Sequence, residues 1–313
     1  VSYLDDPIEE LQGLAGFRER AERCGLQEHT ALLERIARTG IRFELERCEL
    51  ALLPEQSTYF GGDPDVPATF AWPTFNECPL TFIAQFDLAQ LGELMSLPMP
   101  AAGLLSVFYE AVEQPWGFRP TDAGSCVIMW LPPGTATSRR RRPPYPGEND
   151  RTPPPYYNDV ELNPCRAAPR VALTLPHVEH PLLIPILGER VTNWFSSSPE
   201  IDAYSALRHS LGCYGGTQLF GYPGEIQNPL EVESEYVSNG GLGFAEGNLS
   251  QDDVENPELV ARAYEWELVL SVDSEETTLG VMWALSGAVY FLNRATATRE
   301  RDFTRPWAIV HGT

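Results

Sequence analysis

His177, Glu179 and His180 place three metal-ligating side chains within four positions. On a helix the two imidazoles would share a face. Pro176 and Pro181 bracket them, so a polar loop is expected instead, with no metal bound there. Cys213 lies in Gly212-Cys213-Tyr214-Gly215-Gly216 with His209 close by. A cysteine nucleophile needs a depressed thiol pKa and a base within reach, and nearness in sequence supplies neither. Asp87 and Asp273 each close an apolar run. Two such carboxylates could exchange protons or hold a cation, or could simply bond the nearby backbone. Gln85, Gln218 and Gln227, with Trp72, Tyr222 and Trp283, have the make-up of a ligand pocket. The same residues could instead be core aromatics and amides that satisfy buried backbone. Gly241-x-Gly243-x-x-x-Gly247 lacks the spacing of a dinucleotide-binding turn, and no Gly-x-Ser-x-Gly elbow occurs.

Charge narrows the field further. The 313 residues carry 44 acidic and 22 basic side chains, net charge -22, and every basic one is arginine. Without lysine, phosphate-binding loops, Schiff-base enzymes and kinase-type sites are excluded. The net charge repels nucleic acid and anionic lipid, and attracts a basic protein. Residues 225–276 concentrate it, with 14 acidic residues against Arg262 alone. Glu231, Glu233, Glu235, Asp252 and Asp253 are the candidate residues of an acidic docking face.

The elements that must position these groups follow from periodicity. Asp6-Pro7 reads as a helix start, with Leu11, Leu14, Phe17 and Ala21 as its buried stripe and Gly25 as its stop. A second helix is expected over 27–38, before Gly40. Strands are expected over 41–45, 81–88, 104–109, 126–131, 171–175, 267–272, 280–283, 289–293 and 306–310, and a helix over 198–211. Short links between strands favour antiparallel pairing. Ten of the 28 prolines fall in 132–169 around Arg139-Arg140-Arg141-Arg142, which reads as an inserted projecting loop or polyproline segment, its arginines solvated or folded onto the protein's own acidic surface. A strand ending Gln85-x-Asp87 before Gly103, and another ending Ser271-x-Asp273 before Gly287, hint at two similar β-units. The six cysteines are widely spaced and read as reduced, buried thiols of a cytoplasmic protein. The acidic first ten residues lack a signal-peptide layout, and no apolar run approaches a membrane span.

Five blocks in order resemble the YwqG-like bacterial family: Gly61-Gly62-Asp63-Pro64-Asp65-Val66-Pro67 with Trp72-Pro73; Pro79 to Leu88; Gly103 to Phe108; Gln218 to Gln227; and Glu267 to Ser274 with Trp283, Gly287 and Tyr290-Phe291. The resemblance spans residues 41–312 and implies an α+β fold, a bacterial cytoplasmic setting and, for some members, an immunity-type role. Two departures stand out. Trp283-Ala284-Leu285-Ser286-Gly287 replaces the family's Trp-Gly-Asp-x-Gly, and Ser271 replaces its glutamine.

The expected architecture is α+β. Residues 1–40 form N-terminal helices packed on an antiparallel β-sheet body of residues 41–313. The expected function is non-enzymatic binding of a basic protein partner, immunity- or antitoxin-like, with no cofactor. The alternative is a small-molecule site or enzyme around Trp72, Gln85, Gln227 and Asp273.

Overall fold

The computed structural model describes residues 14–144, 161–188, 191, 197–243 and 256–312. The expected helix start at Asp6-Pro7 lies outside them, as do Asp252 and Asp253. The strands are β1 Arg38–Arg47, β2 Tyr59–Phe60, β3 Asp65–Val66, β4 Thr74–Phe75, β5 Cys78–Pro79, β6 Thr81–Asp87, β7 Leu104–Tyr109, β8 Cys126–Leu131, β9 Ser138–Arg139, β10 Cys165–Thr174, β11 Gln218–Leu219, β12 Trp266–Asp273, β13 Ala288–Arg294 and β14 Trp307–His311. The helices are α1 Leu14–Arg23, α2 Thr30–Ile36, α3 Leu88–Gly92, α4 Ile184–Leu187, α5 Pro199–Ser210, α6 Leu230–Ser238, α7 Pro257–Ala263 and α8 Ala295–Glu300.

Ten strands form one antiparallel sheet in the order β14-β13-β12-β11-β1-β10-β2-β6-β7-β8. The β1–β10 ladder is its middle, running from Arg38 opposite Thr174 to Arg47 opposite Cys165. The sheet curls until its ends approach. The segment after β7 reaches β14, where Val310 N–H donates to the Trp116 carbonyl at 3.1 Å. Ile41, Phe60, Ile83, Phe86, Val107, Ile128, Leu270, Phe291 and Val310 thereby meet in one dry interior. Burial of such side chains contributes roughly 1.5–3 kcal/mol each. Outside the sheet, Phe17 of α1 and Leu33 of α2 pack with Tyr204 and Leu207 of α5. Leu230 and Val237 of α6 cover the outer face of β12–β14.

The strand order reads the same from both ends once β1 is matched with β10, β2 with β11, and β6–β8 with β12–β14. Local details repeat in step. The β6–β7 ladder shifts register between Phe82 and Ala84, and the β12–β13 ladder between Leu268 and Leu270. Asp87 N–H donates to Thr58 Oγ1 at 3.0 Å, and Asp273 N–H to Thr217 Oγ1 at 3.3 Å. Gly103 and Gly287 stand where a Cβ would lie 2.2 Å from the Leu131 carbonyl and 1.8 Å from the His311 carbonyl. Both contacts are with backbone, which cannot swing aside. Gly287→Ala is expected to lower stability by about 2–3 kcal/mol, read as a fall in the urea midpoint. An unchanged midpoint would show that β14 has room to move.

Two expectations need correction. β10 begins at Cys165, inside the stretch expected to project as a loop, and pairs with β1 along its whole length. Pro169 is tolerated there because β2 pairs only with Cys165 and Arg166, leaving that edge of β10 without a strand neighbour at Pro169. Of the two alternatives for the arginine run, folding back on the protein is the one found, with backbone carbonyls as its main acceptors. Arg139 donates to the Leu50 and Leu53 carbonyls, Arg140 to Phe70, Arg141 to Glu161 and Arg142 to Pro143. The expected strand over 280–283 is reduced to a single bridge between Glu275 and Val281.

Candidate functional site

The amides and aromatics picked out from sequence are mostly spent on the fold. Gln85 is fully buried; its Oε1 accepts from Asp65 N–H and its Nε2 donates to the Ser57 carbonyl and Asp65 Oδ2. Gln218 Nε2 donates to the Phe220 and Tyr222 carbonyls, Gln227 Nε2 to Gly312, and Trp72 Nε1 to Leu80. Tyr222 is buried beneath the Arg38 guanidinium, 4.4 Å from its ring centre. Trp283 sits in the dry interior. Asp87 caps α3, accepting from Ala89 and Gln90 N–H. These side chains do not form one pocket among the described residues, because each fills its hydrogen-bonding or packing demand locally.

Asp273 differs. It ends β12 at the wall of an open cavity of about 410 Å³, lined also by Ser274, Glu275, Glu276, Thr277 and Ser286. Oδ2 accepts from Gly216 N–H at 2.6 Å. Burial raises the Asp273 carboxyl above its usual range, the Gly216 bond opposes this, and the charge of Glu275 adds to it. Three carboxylates thus converge on one water-accessible space. Glu275 and Glu276 were missed from sequence. The signal available was the Asp273-Ser274-Glu275-Glu276 run itself, hidden within a longer acidic stretch.

The acidic docking face requires the largest correction. Glu231, Glu233 and Glu235 are all buried, because α6 lies between the sheet and α7 with nearly its whole circumference covered. Arginines from distant elements reach into this buried acidic cluster. Glu235 takes hydrogen bonds from Arg262, Trp266 and Arg294; against the cost of burial, these hold its carboxyl below the ordinary range. Arg208 of α5, 1% exposed, pairs with Glu225 at 3.2 Å. Burial pushes Glu225 up to about 8, opposed by Arg208, and Glu231 up to about 7. Glu233 Oε2 lies 3.9 Å from Nε2 of the fully buried His311.

Cys213 and the 177–180 histidines also lie in buried settings, whereas His209 is exposed. Cys213 packs in the core beneath α5, and burial raises its thiol, so at neutral pH it is a protonated thiol rather than a nucleophile. His177, Glu179 and His180 form a buried turn, not the expected polar loop. His177 Nδ1 accepts from Glu179 N–H, and burial holds that imidazole well below its usual range. Among the described residues no group of three or more His, Cys, Asp or Glu is placed to hold a metal, and no helix is long and apolar enough to cross a membrane.

Residues 58–311 match the family described as "Domain of unknown function (DUF1963)". The chain belongs to the DUF1963 family. No curated protein matches it. The DUF1963 region contains both the Asp273 cavity and the ion pairs around α6; α1, α2 and β1 precede it. It also holds both threonine–aspartate contacts at the ends of β6 and β12.

Proposed function

We propose that the protein is a non-enzymatic binding protein that receives a cationic group of a basic partner in the cavity at the end of β12. The observation that carries this reading is the convergence of Asp273, Glu275 and Glu276 on one open space. A carboxylate raised by burial and by a neighbouring carboxylate gains stability when a cation arrives. The net charge of -22 supports it by steering basic partners towards the surface. The YwqG-like resemblance favours a bacterial cytoplasmic setting and an immunity- or antitoxin-like role. The matching register shifts and threonine bonds favour two β-units of one design, only the second of which carries the acidic cavity.

The test uses Nα-acetyl-argininamide as the probe, titrated calorimetrically at low salt. The triple substitution Asp273→Asn, Glu275→Gln, Glu276→Gln is expected to weaken binding at least about tenfold, and 0.5 M salt to do likewise. Equal affinity for the triple variant and the parent would refute the site.

A further inference from the structure

Arg42 of β1 and Arg170 of β10 are direct cross-strand partners. Such partners share a face of the sheet, and like charges there repel. Arg42 is half-buried and donates only to neutral acceptors, Gln218 Oε1 and the Leu211 carbonyl, each at 3.2 Å. Arg170 is half-buried too. Among the described residues neither guanidinium has a carboxylate within ion-pair distance, although acidic residues outnumber basic ones 44 to 22. Burial lowers the Arg42 pKa and the Arg170 charge adds to that, opposed by the nearby Cys213 and by the more distant Asp273 carboxylate. The pair lines a cavity of about 230 Å³ with Tyr214, Glu44 and the Gly215-Gly216 turn. A Cβ on Gly212 would stand 2.6 Å from Arg42 Nη1, so a glycine there leaves the guanidinium its place. Two guanidinium forks on one face match a carboxylate or phosphate, whose charge would offset their repulsion. Gly215 also borders the acidic cavity, and Gly216 N–H is bonded to Asp273, so the arginine pair and the three carboxylates flank one turn.

We propose that Arg42 and Arg170 hold the anionic end of a zwitterionic ligand whose cationic end enters the Asp273 cavity. The ligand is a basic amino-acid residue with a free carboxylate. This rests on the cation reading above and narrows it.

Four probes are titrated against the parent protein and Arg170→Gln: agmatine, arginine, Gly-Arg and Gly-Arg-amide. Arginine or Gly-Arg should bind at least about tenfold more tightly than its carboxylate-free counterpart, agmatine or Gly-Arg-amide. Arg170→Gln should erase that difference without weakening agmatine binding. Preference for Gly-Arg over arginine would assign the ligand as the C-terminus of a chain, and the reverse as a free amino acid. Equal or weaker binding of the carboxylate-bearing probes relative to the carboxylate-free ones overturns the arginine-pair proposal and leaves the cation reading standing. Binding of none of the four removes both. A urea-unfolding midpoint for Arg170→Gln within error of the parent's separates lost binding from lost folding.

Discussion

Replacing Arg208 with methionine is expected to cost about 3–5 kcal/mol of folding stability. Arg208 and Glu225 are both nearly solvent-free, and the pair closes at 3.2 Å. Removing the guanidinium leaves a carboxylate in a medium that cannot solvate it. Burial already pushes the Glu225 carboxyl up to about 8 against the pull of Arg208, so the full loss is read at about pH 9, where the pair is ionised and removing the guanidinium forces the carboxyl to take up a proton, which destabilises the fold. Adding Glu225→Gln to Arg208→Met removes the unpaired charge and should restore part of the loss. Urea unfolding of the two variants measures both effects. A single-variant loss under about 1 kcal/mol would mean that water reaches the pair.

The second large effect is a fall in stability as pH rises from 6.5 to 8.5. Glu225 and Glu231 are buried, with carboxyls pushed up to about 8 and about 7 from the ordinary 4.5. Between the unfolded and folded values the native state binds more protons than the unfolded chain, so stability is present at lower pH and is lost as pH climbs through the folded pKa. His177 acts in the opposite sense, since its folded pKa is depressed, but only below its usual 6.5. Asp273 shares the direction of the two glutamates. The groups facing Glu231 are Glu225, Arg38, Arg208 and Glu267, and Arg38 and Glu267 are themselves paired at 3.1 Å. The loss should be on the order of 2 kcal/mol. Glu231→Gln should flatten the slope. A urea midpoint that stays level from pH 6.5 to 8.5 in the parent protein would disprove this linkage.

Much of the sheet was legible because buried strands leave short apolar runs bounded by polar or turn residues. The strands Leu104–Tyr109 and Cys126–Leu131 coincide with such runs, the first of them buried at every position. Asp87 was legible as a strand-terminal residue, though it serves as a helix cap. The helix Leu230–Ser238 was not. Its Leu-Glu-Val-Glu-Ser-Glu-Tyr-Val alternation does not follow a helical period, because every side of it is buried. An acidic run reads as solvated unless its cations are visible. Here they come from Arg208, Arg262 and Arg294, the last of them 59 positions from Glu235. The acidic cavity was half legible. Asp273 stood out at the end of its strand, whereas the Arg42–Arg170 pair depends on a register spanning 128 positions, which no local pattern reveals.

The middle of the sheet has a consequence for synthesis on the ribosome. β1 is made well before its neighbours β10 and β11, at residues 165–174 and 218–219. β2 likewise waits for β10. A nascent chain halted before residue 165 therefore carries a ten-residue strand with both edges open, the kind of surface that recruits chaperones or pairs with a neighbouring polypeptide. Vectorial emergence gives little advantage to such a fold. The first strand of such a fold is flanked on both sides only once residues 218–219 have left the exit tunnel, so products stalled or truncated before that point should be cleared as unfolded rather than persist as a stable fragment.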